Sequence, residues 1–259
     1  MVSFYLFYQQ KYDVEKYSYI SFSLSRRLVL IFSCSNRQAI VLENIPVSKS
    51  EMDTTSEIYH LIKPFHDSVS LLMNDTLYWL NDDLFKGFPY NPLGYRVSEW
   101  IFDYVANHQL PVPDLVLMNN GGLRKHLKKG PVTVGDVYEL MPFDNKLSYV
   151  EIDRDKFLQL LQYIREKKNM AVFGITVEYT IDGKILVDGS EKLKEKYLVL
   201  TSDYLANGGD QLSFFHHPLN REDLVILIRD ALIERLEYMQ QNNIKITSKY
   251  KPNVILPEP

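Results

Sequence analysis

The sequence predicts an α+β fold, a single mixed-sheet domain with packed helices spanning residues 56–259. Three observations predict it. Apolar residues recur at helical spacing in separate stretches, and between those stretches stand short apolar or alternating runs of strand length. Ile175, Val177, Tyr179 and Ile181 alternate with polar residues up to Asp182-Gly183, and Lys184-Ile185-Leu186-Val187 follows, which is a strong short-range hairpin signal. Helices interleaved with an antiparallel hairpin point to α+β organisation rather than to regular βαβ winding.

Taken in order, Ile58, Ile62, Phe65, Val69, Leu72 and Met73 lie at helical spacing, with Pro64 expected to kink or restart the helix. His60 and His66 fall six apart and share no face well, so a solvated or capping role is expected of them rather than metal binding. Gly87, Pro89 and Pro92 mark Phe85 to Pro92 as loop. Val97, Trp100, Ile101, Tyr104 and Val105 then form a core-facing stripe, and Pro111 and Pro113 lead into an apolar strand, Leu115 to Met118. Lys125 to Lys129 reads as a solvated basic turn. Thr133–Leu140 and Leu147–Ile152 alternate loosely on either side of Pro142-Phe143-Asp144-Asn145. Phe157, Leu160, Leu161 and Ile164 predict an amphipathic helix, and Tyr197 to Thr201 a further strand. Asn220, with Asp223 three residues on, looks like the N-cap of a helix carrying Val225, Ile228, Leu232 and Leu236 on one face.

With 46% hydrophobic and 24% charged residues, the 259-residue chain has enough apolar side chains for a sizeable core. Its net charge of −4 argues against a binder of nucleic-acid polymers, which needs a basic face. The single cysteine, Cys34, excludes an internal disulfide framework and a Cys-rich zinc site. No apolar run approaches the ~18 residues of a membrane span. Before Cys34 stand Arg26-Arg27 and the short apolar run Leu28-Val29-Leu30-Ile31-Phe32. That order looks like the end of a bacterial lipoprotein signal, with Cys34 the acylation candidate, residues 1–34 a leader and 35–55 a linker. A buried strand with a core cysteine is the alternative. The lipoprotein reading implies a bacterial cell envelope location, periplasm or outer membrane, held by a lipid anchor.

The candidate site begins where the strand Leu115-Val116-Leu117-Met118 ends in Asn119-Asn120-Gly121-Gly122-Leu123-Arg124. Paired glycines let backbone N–H groups approach a ligand closely, while Asn119 and Arg124 supply donors suited to carboxylate or phosphate oxygens. Two later stretches have the same grammar of an aromatic beside an amide or carboxylate on a turn: Leu140-Met141-Pro142-Phe143-Asp144-Asn145 and Ser202-Asp203-Tyr204-Leu205-Ala206-Asn207-Gly208-Gly209-Asp210.

Together, Asn-Gly-Gly-Leu-Arg, Pro-Phe-Asp-Asn and Tyr-Leu-Ala-Asn-Gly-Gly-Asp resemble the C-terminal, substrate-binding domain of the 5′-nucleotidase / UDP-sugar hydrolase family. The resemblance runs from about Ser56 to the end, taking in Leu93 to Ile101 and Leu227 to Glu234 as its first and closing helices. It implies a substrate-binding set of Asn119, Gly122, Arg124, Phe143, Asn145, Tyr204 and Asp210. Phe143 and Tyr204 would stack on a base, Asp210 would take the ribose hydroxyls, Asn145 would meet the base edge, and Asn119 and Arg124 would hold the sugar–phosphate end. Asn119 and Arg124 could instead be turn-formers with a surface salt bridge. Two departures stand out. Tyr204 replaces the family's usual phenylalanine, and Phe88-Pro89-Tyr90-Asn91-Pro92 lacks the arginine usual before the Leu-Gly of the first helix.

Hydrolysis in that family belongs to a separate metallophosphoesterase domain with two metal ions. None of the six histidines stands in an Asp-x-His or Gly-Asn-His-Glu motif, so no cofactor is expected in this chain, and divalent metals are expected in a partner. The expectation is the recognition half of a split 5′-nucleotidase, binding a nucleoside or nucleotide beside a separate metallophosphoesterase chain. The alternatives are a non-catalytic nucleoside-binding lipoprotein and an interaction module that has lost its ligand.

Overall fold

The computed structural model describes residues 54–257. The leader with Cys34, and the linker up to residue 53, lie outside the described residues.

The centre of the fold is a five-stranded sheet in the order β5-β2-β8-β4-β9, built from Met170–Phe173, Leu115–Asn119, Lys196–Ser202, Lys146–Asp153 and Asn220–Leu227. It is mixed: β2 and β8 are parallel, and the other neighbours are antiparallel. Successive strand residues face opposite sides, so the sheet feeds two cores. Val116, Met118, Leu147, Tyr149 and Leu200 pack with helices α2 (Pro92–Asn107), α3 (Val134–Leu140) and α6 (Ile228–Gln241). Leu115, Leu117, Val150, Ile152 and Val199 pack instead with α4 (Arg154–Lys167) and with strands β6 (Val177–Tyr179), β7 (Ile185–Val187) and β10 (Val254–Ile255). Those three strands form a small second sheet, in which β6 and β7 are the hairpin that Asp182-Gly183 announces. A third sheet pairs β1 (Thr76–Leu80) with β3 (Gly130–Thr133).

The predicted stripes of α2 and α4 are buried as expected, Trp100 among them. Three segments differ from the expectation. Helix α1 (Glu57–Met73) runs through Pro64 without a break, capped by Ser56, whose hydroxyl accepts the Tyr59 N–H. Thr133–Leu140 is one strand residue followed by a helix. The Thr133 hydroxyl accepts the Asp136 N–H at 3.1 Å and the Asp136 carboxylate accepts the Thr133 N–H at 2.9 Å, a reciprocal cap that outweighs the loose alternation. Asn220 is no cap. It opens β9, which pairs along β4, and Asp223 accepts from the Ser148 hydroxyl at 2.6 Å instead of from a helix N–H. Helix α6 starts at Ile228, burying Ile228, Leu232 and Leu236 while Val225 stays 90% exposed.

Buried phenols give the fold a pH limit. Burial pushes Tyr149 up to about 12, with its hydroxyl donating to Pro111 O at 2.6 Å, and burial also raises Tyr163 and Tyr179. In the unfolded chain these groups lose protons near their ordinary value of 10. Below that pH neither state releases the proton and the contribution is complete. Above it the unfolded chain deprotonates first, so stability falls as pH rises from about 10 towards 12. Denaturation midpoints measured from pH 8 to 11 should be level and then drop. A midpoint that rises on the alkaline side would contradict this.

Candidate functional site

Sheet topology brings the three predicted turns to one edge. Strands β2 and β8 run parallel and end at Asn119 and Ser202, while β4 runs the other way and begins at Lys146, with Leu147 paired to Ser202. The turn after β2, the turn before β4 and the segment after β8, which is not the plain turn expected but a short helix α5 (Asp203–Ala206) followed by a 3₁₀ turn at Gly209–Gln211, therefore emerge on the same side. There they surround a cavity of about 330 Å³ lined by Asn119, Gly122, Arg124, Phe143, Asn145, Tyr204 and Asp210, with Gly121 beside them. All seven residues singled out from the sequence border this one space. The rings of Phe143 and Tyr204 are 46% and 45% exposed, so each has a face open to a ligand rather than to the core.

The turns are tied to one another. The Arg124 N–H donates to Leu140 O at 2.8 Å, linking the turn after β2 to the end of α3. Gly122 N–H closes its turn on Asn119 O at 3.1 Å, and a Cβ on Gly122 would sit 2.8 Å from Asn119 Oδ1. Asn120 faces the other way. It donates to Gly87 O and accepts from Asn91 Nδ2 at 2.6 Å, and so anchors the turn to the loop before α2. On α6, Ile228 N–H donates to Asn145 O, and Arg229 donates to Met141 O and to Asp144 across the Pro142–Asn145 turn.

Polar groups at the cavity have distinct states. Asn119, 7% exposed, donates its amide to Asp210 Oδ2 at 2.7 Å, which is not the geometry of a surface turn-former. Arg124 is exposed, donates to Gly121 O at 3.3 Å and pairs with no carboxylate among the described residues. Its charge is thus available to an anion at one end of the cavity, while Asp210 stands as a carboxylate among the same lining residues. Among the described residues no three His, Cys, Asp or Glu side chains gather as a metal-ligand set. With Asp210 the one carboxylate and no histidine or cysteine among its lining residues, the cavity does not fit a dinuclear metal centre.

Gly208-Gly209 before Asp210 has a steric reason. Gly208 has φ +84° and packs on His216, and a Cβ on Gly209 would fall 2.5 Å from the Tyr204 ring. Only glycine lets that ring lie over its own turn. Gly209→Ala should displace Tyr204 and weaken any ligand that stacks on it by at least several-fold, with a small loss of thermal stability. Unchanged affinity in a titration would show that the ring position is immaterial.

Residues 95–217 match the family described as 5′-nucleotidase, C-terminal domain. The chain carries a 5′-nucleotidase C-terminal domain. A 5′-nucleotidase of Vibrio vulnificus is 30% identical over 158 residues, covering 58% of this chain and 28% of that protein. The 5′-nucleotidase of Vibrio cholerae is 30% identical over 117 residues, covering 41% of this chain and 21% of that one. The solved 5′-nucleotidase precursor from Thermus thermophilus shares the fold with a TM-score of 0.64 at 20% identity, covering 77% of this chain and 43% of that chain. The chain thus spans less than a third of these curated relatives and less than half of that structure. Supporting residues of the domain escaped the sequence reading. Tyr163 donates to Asp210 O at 2.7 Å, and Arg229 spans the Phe143 turn, yet both sit on helices whose spacing advertises only their apolar neighbours.

Proposed function

We propose that this chain is the nucleoside- or nucleotide-recognition half of a split 5′-nucleotidase serving nucleotide catabolism, acting with a metallophosphoesterase carried on a second chain. One observation carries the proposal: two half-exposed aromatic rings, an unpaired guanidinium and a carboxylate line a single cavity at one sheet edge. A base placed between Phe143 and Tyr204 gains roughly 1–3 kcal/mol per stacking face. Asp210 takes the ribose hydroxyls, the Asn145 amide meets the base edge, and Asn119 and Arg124 serve the sugar–phosphate end. The bound base and sugar then orient the phosphate ester for chemistry done by the partner's divalent metals.

The test is a pair of assays on the full chain. Calorimetry with adenosine, AMP and a UDP-sugar should detect binding. AMP with added divalent metal should release no phosphate until a metallophosphoesterase partner is supplied. Turnover by the pure chain would refute the split arrangement, and no binding of any of the three would refute the recognition role.

A second reading, a nucleoside-binding lipoprotein without hydrolytic partner, is favoured by Pro92 beginning α2 where no arginine precedes Leu93-Gly94, leaving Arg124 as the cation that lines the cavity. The cell envelope location belongs to either reading. It is supported by the basic–apolar–Cys34 order, and the mass of the mature amino terminus tests it, since an unmodified Met1 would end it.

A further inference from the structure

The carboxylate in the cavity is held in place by the protein itself. Asp210 has φ 52°, a left-handed conformation uncommon outside glycine, and every polar group it owns has a protein partner. Its N–H donates to the Tyr204 hydroxyl at 3.2 Å, its carbonyl accepts from Tyr163 at 2.7 Å, its Oδ1 accepts from the Tyr204 hydroxyl at 2.9 Å, and its Oδ2 accepts from Asn119 at 2.7 Å. Tyr204 thus both accepts from and donates to the same residue six positions on. A phenylalanine would offer the same ring and neither bond.

An ionised carboxylate accepts about four hydrogen bonds, two at each oxygen. Tyr204 and Asn119 take one at each, which leaves one acceptor position on Oδ1 and one on Oδ2. Two acceptors fixed side by side match two hydroxyls on adjacent ring carbons. We infer that the Tyr204 hydroxyl is a positioning residue that presets Asp210 for a vicinal diol, making the cavity selective for ribonucleosides over 2′-deoxyribonucleosides. This rests on the nucleoside reading above and goes further, because it gives Tyr204 a role separate from stacking. A carboxylate held at both oxygens loses little freedom when the diol arrives.

The experiment is calorimetry on the full chain with adenosine and 2′-deoxyadenosine, using wild type, Tyr204→Phe and Tyr163→Phe. Wild type should prefer adenosine by about tenfold, the worth of a hydrogen bond to a charged group. Tyr204→Phe should lose most of that preference. Tyr163→Phe, which loosens Asp210 through its carbonyl alone, should lose part of it and keeps the test open should Tyr204→Phe fail to fold. A preference unchanged in both variants overturns the inference, as does Tyr204→Phe binding adenosine more tightly. A wild type that binds both ligands equally also overturns it while leaving base recognition standing. A wild type that binds neither nucleoside nor AMP removes the recognition role itself.

Discussion

Replacing Phe143 by alanine should weaken adenosine binding by roughly 5- to 150-fold, the span of the ~1–3 kcal/mol that a stacked base gains from an aromatic face. The fold should hardly notice. Phe143 is 46% exposed on a turn, and substitutions at such positions usually change stability by less than about 0.5 kcal/mol. The pairing of a large binding loss with an unchanged melting temperature separates a ring that grips a ligand from one that fills a core. Titration calorimetry and a thermal melt on the same preparation decide it. An affinity equal to wild type would place the base elsewhere, and a large drop in melting temperature would make the ring structural.

Arg229→Met should do the reverse and act through the fold first. Arg229 is 7% exposed, its guanidinium lies 4.2 Å from the Tyr138 ring centroid, and it donates to Met141 O at 3.3 Å and to Asp144 at 2.7 Å. Burial alone would lower its pKa, but the hydrogen bond it donates to the Asp144 carboxylate, with the nearby Tyr138 phenol and the Asp144 and Asp230 charges, holds it above the ordinary value, so the group stays charged. Methionine keeps part of the volume but strands the Met141 carbonyl and removes the cation from the ring. A stranded buried acceptor costs ~1–3 kcal/mol, and the lost cation–π contact adds about 0.5–2. The expected loss is about 1.5–5 kcal/mol, together with weaker ligand binding as the Phe143 turn loosens. Asp144→Asn is the control. Asp144 is 78% exposed in this pair, where solvent screens the charge, so its loss should cost well under about 1 kcal/mol. Denaturant titration of both variants checks the contrast, and a wild-type midpoint for Arg229→Met would show that the turn stands without its clamp.

Much of this was legible in the sequence because the periodic segments are strongly periodic. The stripe Val97, Trp100, Ile101, Tyr104 and Val105 could only be the inner face of a helix, and Asp182-Gly183 between two alternating runs could hardly be anything but a hairpin. The residues that line the cavity were legible for a different reason: Asn119 closes a strand, Tyr204 stands in a four-residue helix and the others lie in turns or bends, where an aromatic or an arginine has little packing explanation. The failures fall where a side chain serves two purposes. Thr133 and Asp136 look like members of an alternating run until their reciprocal cap is seen. Asn220 and Asp223 have the spacing of a cap, yet Asp223 bonds sideways to Ser148 and Arg221 within the sheet. Strands β1, β3, β5 and β10 went unread because none alternates as β6 does, follows an Asp-Gly turn as β7 does, or runs into a turn of the site as β2 does. The roles of Tyr163 and Arg229 depend on contacts 47 and 88 residues away along the chain, which no local window contains.

The placement of the three turns on neighbouring strands of one ladder has a kinetic consequence. Strand β8 bonds to β2 on one side and to β4 on the other, so the stretches that deliver Asn119, Tyr204 and Asn145 open only when the middle of the sheet opens. Amide hydrogens of Leu200 and Val150 should therefore exchange with solvent only through near-global unfolding, while tips such as Gly121 exchange quickly. A small molecule entering this cleft would meet walls already in place, and its association rate would be set by diffusion and orientation rather than by a rearrangement of the chain.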